Sequence, residues 1–471
     1  MTELWRAGAV ELAAGIRARD FKPSEVMESV LDRVAARNPE LNAITYDLAD
    51  QARTEARAAD DAVAAGADLG PLHGVPVTIK ENIDQAGLPN PNGVPAFADL
   101  MATDDAPLVR NLRGAGAIVF GRTNVPEFSM RGTTDNPLRG RTRNPWGDPI
   151  SPGGSSGGAG SACAAGLGPL HHGNDIGGSL RFPAMANGVT TVKPTSNRVP
   201  VFNSSAAAER GPLAQVMSVQ GILARHAADV REATRVMVRP DARDPLSPPV
   251  PFDGPPIDGP ITVAVTTESG GYDLHPGIAD LIDRAAAQLA DAGYRVVRTD
   301  PPPVAEAAAG WFSTFSTEMK VALAPAIEEH GSPVIREIFG WYFDISELRD
   351  LEGYIAGFAD RTRLMRDWNL FLDEHPLVLT PFLMRPMYDF DYDARGLAEV
   401  SDLFGSAVYS TGINYLGLPA GVIGLDLVDD RPAAVQLVGR RYREDVICDA
   451  MAAIEERNGV LAHRLWEREQ A

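Results

Sequence analysis

Three polar residues sit in glycine-punctuated settings that could carry nucleophilic chemistry. Lys80 lies in Gly74-Val75-Pro76-Val77-Thr78-Ile79-Lys80-Glu81-Asn82, Ser155 in Ser151-Pro152-Gly153-Gly154-Ser155-Ser156-Gly157-Gly158, and Ser179 closes Asn174-Asp175-Ile176-Gly177-Gly178-Ser179. A serine hydroxyl becomes a nucleophile when a base takes its proton, and converging backbone N–H groups can hold the oxyanion formed on attack at a carbonyl. Ile176, Gly177 and Gly178 can supply such groups, because glycine permits tight curvature and close substrate approach. Lys80 follows an apolar run, so it is expected at the end of a buried strand. Lost solvation there disfavours the ammonium and makes a neutral amine available near neutral pH. Taken singly, each residue has a blander reading: a serine at a Gly-Gly turn commonly caps a helix, and a lysine at a strand end commonly reaches for solvent.

Together the three segments resemble the amidase signature family, whose members cleave carboxylic amides with a Ser-Ser-Lys triad. The resemblance implies Ser179 as nucleophile, Ser155 as proton relay after a cis peptide bond, and Lys80 as base, acting through a seryl acyl-enzyme without metal or cofactor. It continues through Asp175, Arg181 and Pro183, through Gly121-Arg122-Thr123-Asn124-Val125-Pro126-Glu127-Phe128-Ser129-Met130, and through Asn414-Tyr415-Leu416-Gly417-Leu418-Pro419-Ala420 and Ala434-Val435-Gln436-Leu437-Val438-Gly439. It places the backbone near Met130 beside the substrate. Two positions depart from the family pattern. Asn174 stands where Ser or Thr is common, and Phe182 where the A subunit of the tRNA amidotransferase typically has Gln. The second leans away from that amidotransferase component, which shares the triad and is the alternative reading; co-purifying partners and a preference for glutamine would favour it.

These residues need elements to hold them. Leu12 and Ile16 open in a helical pattern, and Ser24 is expected to cap a helix carrying Val26, Met27, Val30, Leu31 and Val34, stopped by Asn38-Pro39. Helices are expected over 51–64, 105–113 and 276–292, and strands over 75–79, 117–120, 261–265 and 294–297. Such alternation argues for α/β architecture with a largely parallel sheet. Prolines crowd 239–260, which separates two domains or crosses the surface of one. The resemblance favours one α/β/α domain over 1–471 with a mixed, mainly parallel sheet, a signature core of 70–200 and a variable, substrate-shaping helical segment of 305–370. Residues 311–368 read as long helices; the stripe Trp311, Phe312, Phe315 and Met319 reads more readily as core than pocket.

Other chemistries fit less well. Gly153-Gly154-Ser155-Ser156-Gly157 has the form of a nucleophile elbow, as in an α/β-hydrolase-type esterase, but that turn follows a strand directly and Pro145, Pro149 and Pro152 precede it here. No Lys-Ser/Thr follows the glycines as a phosphate-binding loop requires. His171-His172 lacks metal-ligand spacing and is expected at the surface. The 471 residues are 44% hydrophobic and carry a net charge of −20, which suits a soluble chain and repels nucleic acid and anionic membranes. Cys163 and Cys448 imply no disulfide framework, and Cys163 is expected to be packed. The uncharged stretch 149–174 is too rich in Gly, Ser and Pro for a membrane helix, and no basic-then-apolar leader pattern opens the sequence. The expectation is a cytoplasmic enzyme for a small to medium amide with an apolar or aromatic acyl group, the same acyl-enzyme chemistry also accepting a hydrazide, anilide or ester, with a homodimer admitted.

Overall fold

The strand expected to end on Lys80 forms, and it lies inside an eleven-stranded sheet. The computed structural model describes residues 3–470. In chain order the strands are β1 (Ile44–Asp47), β2 (Pro76–Lys80), β3 (Ile118–Thr123), β4 (Leu170–Asp175), β5 (Thr190–Lys193), β6 (Val219–Ala224), β7 (Thr262–Val265), β8 (Arg295–Arg298), β9 (Leu377–Pro381), β10 (Ala420–Val428) and β11 (Arg431–Gly439). Their spatial order is β1-β3-β2-β4-β6-β5-β10-β11-β9-β7-β8. Every residue of β2, β3, β5 and β6 is buried, so both faces of the sheet are covered there. One sheet spans the chain, making a single α/β domain. The proline-rich stretch runs over its surface, where Arg198 donates to the carbonyls of Val250 and Pro251 at 2.7 and 2.6 Å.

The sheet is mixed, as expected, but its balance is not mainly parallel. Parallel pairing is confined to two blocks, β3-β2-β4 and β9-β7-β8. The other six neighbouring pairs are antiparallel. The expected alternation of helix and strand accounts for the parallel blocks. The antiparallel remainder comes from connections that carry no such signature, apart from the β10–β11 hairpin, whose two-residue turn Asp429-Asp430 has both φ angles positive, at 51° and 60°.

Three local expectations are corrected. Ser24 lies inside the helix Pro23–Leu41 and bonds Asp60; the helix starts at Pro23, with the Lys22 N–H donating to the Glu25 carboxylate at 2.8 Å. Pro39 does not stop that helix, which continues until Asn42 turns left-handed, with the Asn38 side chain accepting from Ala43 and Ile44. Residues 311–368 are not uniformly long helices. A π-helical turn at Trp311–Phe315 leads into Ser316–Ala322, Ala324–His330, Pro333–Asp344 and only then the long helix Leu351–Glu374. Pro325 and Gly331-Ser332-Pro333 supply the breaks.

Cys163 is packed, as expected, and both cysteines are buried free thiols. Among the described residues, no helix is long and apolar enough to cross a membrane.

Candidate active site

Lys80 ends β2 with its side chain fully buried, and its Nζ lies 2.7 Å from Ser155 Oγ and 2.7 Å from Asn174 Oδ1. Burial drives its pKa well below the usual lysine value, against a weaker upward pull from Asp175. A neutral amine has two N–H bonds and one lone pair. With one N–H directed at the Asn174 carbonyl oxygen, the lone pair is left to accept a proton from Ser155. The peptide bond between Gly154 and Ser155 is cis.

β4 delivers the opposite wall. It runs straight into the turn 176–179, and Ser156 binds that turn through its N–H, which donates to the Ser179 carbonyl at 3.2 Å. Ser155 and Ser179 thus face one cavity of about 380 Å³. Among the described residues, the Ser179 hydroxyl has no hydrogen-bond partner, so it is free for chemistry.

Asp175 organises the turn. Its carboxylate accepts from the N–H groups of Gly178 at 2.8 Å and Leu180 at 3.1 Å, and from Arg181 through Nε at 3.0 Å and a terminal nitrogen at 3.1 Å. Burial pushes the Asp175 pKa up, but Arg181, together with Lys193 and Asn414, outweighs it and holds the group down at about 2. Arg181 is itself fixed by Gln436 at 3.0 Å, the Ser410 carbonyl at 3.0 Å and Asn414, all on C-terminal elements. The charge pair is wholly buried, and removing one partner would leave the other uncompensated.

This network sorts the expected oxyanion donors. Gly178 takes a φ of +124°, which glycine tolerates, and its N–H is taken by Asp175. It closes the turn and is not a free donor. Among the described residues, the N–H groups of Ile176, Gly177 and Ser179 have no acceptor. Met130 lines the cavity, its carbonyl accepting from the Tyr342 hydroxyl at 3.0 Å.

The histidine expectation is corrected. His171 and His172 are fully buried on β4, because that strand is flanked by β2 and β6. His171 Nδ1 pairs with the Thr78 hydroxyl at 2.8 Å, and His172 Nε2 with Gln220 at 3.1 Å. Burial pushes both pKa values down to about 3, so both rings are neutral at physiological pH.

Sequence reasoning did not find the chain of polar groups behind the lysine. Asn174 Nδ2 donates to Asn82 Oδ1 at 2.9 Å, Asn82 to Ser129 at 3.1 Å, and Ser129 to Asn92 at 2.6 Å. This chain fixes which way the Asn174 amide faces, directing its oxygen at Lys80. Asn174→Ala should lower kcat about tenfold, while Asn174→Ser, which keeps an acceptor, should recover most of it. Steady-state kinetics on one substrate check this.

The cavity's remaining walls are mostly apolar: Phe128, Met130 and Ile176 on one side, Phe315, Met319 and Leu323 from the helical segment on the other. Phe315 and Met319 are therefore both core and lining. Glu209, Arg210 and Glu318 also line it; Arg210 donates to the Ser218 hydroxyl at 2.7 Å, and the Glu318 carboxylate is occupied by the N–H groups of Leu213 and Ala214 at 2.8 and 2.9 Å and by the Tyr354 hydroxyl at 2.8 Å.

Comparison with known proteins agrees with this geometry. The amidase family profile matches residues 25–448. The chain is 48% identical to the indoleacetamide hydrolase of Bradyrhizobium diazoefficiens over 98% of its own length and 89% of that protein's. It is 38% identical to the A subunit of the glutamyl-tRNA(Gln) amidotransferase of Acidothermus cellulolyticus, over 69% of this chain and 64% of that one. A bacterial aryl acylamidase of the amidase signature family superposes with a TM-score of 0.83 at 26% identity, covering 98% of this chain and 97% of that one. The chain belongs to the amidase signature family, and it is an amide hydrolase.

Proposed function

We propose that the protein hydrolyses a primary arylacetamide, of which indole-3-acetamide is the leading case, through an acyl-enzyme on Ser179. The observation that carries the mechanism is the buried Lys80 amine held against Ser155, with Ser179 in the same cavity. Neutral Lys80 takes a proton from Ser155, which takes one from Ser179 as its Oγ attacks the amide carbon. The oxyanion settles on the N–H groups of the turn. Ser155 then returns a proton to the nitrogen, the C–N bond breaks and ammonia leaves. Water enters by the same relay and releases the acid.

The substrate class rests on the near full-length likeness to an indoleacetamide hydrolase and on the shape of the cavity. A volume of about 380 Å³ with aromatic and methionine walls suits an aryl acyl group. The amidotransferase reading has relatives of lower identity behind it, 38% over 69% of this chain and 30% over 96%, and Phe182 stands where that subunit typically has Gln.

A panel of indole-3-acetamide, phenylacetamide, benzamide, hexanamide, phenylacetic hydrazide, an anilide and glutamine tests this. Arylacetamides should lead in kcat/KM. Benzamide should trail by roughly tenfold or more, the scale set by one missing methylene in a fitted pocket. A preference for glutamine or for long aliphatic acyl groups would reject the substrate class and leave the triad standing.

A further inference from the structure

We propose that Trp311 is a positioning residue for the oxyanion donors, acting through the carbonyl of Ile176. The inference rests on the acyl-enzyme reading above. Trp311 opens the π-helical turn, is almost fully buried and does not line the cavity, so it acts at one remove from substrate. Its indole Nε1–H donates to the Ile176 carbonyl at 2.9 Å. That carbonyl and the Gly177 N–H are the two ends of one planar trans peptide and point in opposite directions. Fixing the carbonyl therefore fixes the N–H, and this N–H is one of those left without an acceptor among the described residues.

The ring also lies over Gly177. A Cβ at that position would come within 3.1 Å of the indole, a tight contact that would press on the ring. The next two peptide planes are held in the same way from their carbonyl ends. The Ser410 hydroxyl donates to the Gly177 carbonyl at 2.8 Å, which orients the Gly178 N–H towards Asp175. The Phe182 N–H donates to the Gly178 carbonyl at 2.7 Å, which orients the Ser179 N–H. Trp311 is the member of this set contributed by the helical segment that walls the cavity. It meets Phe315, a cavity-lining residue one helical turn away, edge to face at 5.1 Å. Donor geometry and the apolar wall are therefore parts of one packed unit.

Two replacements isolate the N–H. Trp311→Phe removes it together with part of the ring. Benzothienylalanine incorporated at 311 replaces the nitrogen with sulfur and keeps the ring's size and packing, covering the case in which the phenylalanine variant folds poorly. The readouts are kcat and KM for phenylacetamide and the inhibition constant of phenylacetaldehyde, whose adduct with Ser179 carries a tetrahedral oxygen in the oxyanion position.

The expected result is a fall in kcat of about 10- to 100-fold, smaller than the roughly 10²–10³-fold typical of losing a donor outright. Aldehyde affinity should fall by the same factor, with KM within about twofold. A purely structural role would instead lower thermal stability and leave kcat per folded molecule unchanged. The proposal is overturned if the benzothienylalanine enzyme keeps kcat within twofold, or if kcat falls while aldehyde affinity does not. Loss of turnover in Ser179→Ala belongs to the parent reading, so a wild-type rate at 311 beside an inactive Ser179→Ala rejects only the role of Trp311.

Discussion

Ser179→Ala abolishes turnover and leaves the fold and the ground-state affinity for amide nearly unchanged. Removing the attacking oxygen from a serine triad costs on the order of 10⁶ in kcat, because no other group in the site can form the acyl-enzyme. The structural cost is small for a reason visible at the residue: its hydroxyl holds nothing in place. The turn's shape depends instead on Asp175, which accepts from Gly178 and Leu180, and on Arg181 behind it. Ser155→Ala should be severe but less complete, since the nucleophile survives. It also removes one of the two oxygens that Lys80 Nζ meets. Single-turnover assays with phenylacetamide, with mass spectrometry after a fluorophosphonate probe, separate the two serines. Wild-type enzyme should carry the adduct on Ser179, and Ser179→Ala should carry none. Retention of a tenth of the wild-type rate by Ser179→Ala, or an adduct on Ser155 in the wild-type enzyme, would reject the assignment.

The chemistry was more legible in the sequence than the scaffold that tunes it. Ser155 and Ser179 stand in glycine turns whose backbone freedom is itself a local signal, and Lys80 ends β2, which announces itself as an apolar run. β4 does not. Its sequence, Leu-His-His-Gly-Asn-Asp, has neither the alternation nor the apolar content by which a strand is recognised, so its histidines read as surface residues. It is nevertheless a buried strand, because each polar side chain finds a partner on a distant element: His171 on Thr78, His172 on Gln220, Asn174 on Lys80 and Asn82, Asp175 on Asn414. Buried polar groups are tolerated when they are paired, and the pairing is a tertiary fact that no local window contains. Trp311 illustrates the same limit. Its aromatic stripe correctly signals burial, but only the fold brings its N–H to the Ile176 carbonyl. The departure at Asn174 could be noticed in the sequence; that its amide oxygen faces the lysine could not.

Activity should rise with pH along a limb set by Lys80, and Lys80→Ala should erase that limb along with roughly 10²–10⁴-fold of the rate, the usual range for a general base. The sign follows from the site. The base works as the free amine, so turnover grows as pH climbs through the folded-state pKa, which burial has moved well below the ordinary value. The titratable side chains around it do not compete: His172 is neutral down to about pH 3, and Asp175 is ionised down to about pH 2. The same shift gives a stability signature that needs no substrate. In the unfolded chain a lysine holds its proton up to about pH 10.4. Between the lowered folded value and that limit the unfolded state binds more protons, so wild-type stability rises with pH through this window. Below the folded value both states are protonated and the full penalty of burying the ammonium remains. Lys80→Met lacks the group, so its stability relative to wild type should be greatest on the acid side and should decline as pH approaches 10.4. The lost bonds to Ser155 and Asn174 shift this difference by a constant and leave its slope, which is the diagnostic quantity. Urea unfolding of both proteins across the range reads it directly. A difference that stays flat with pH, together with an activity limb that survives in Lys80→Ala, would mean that another group is the base.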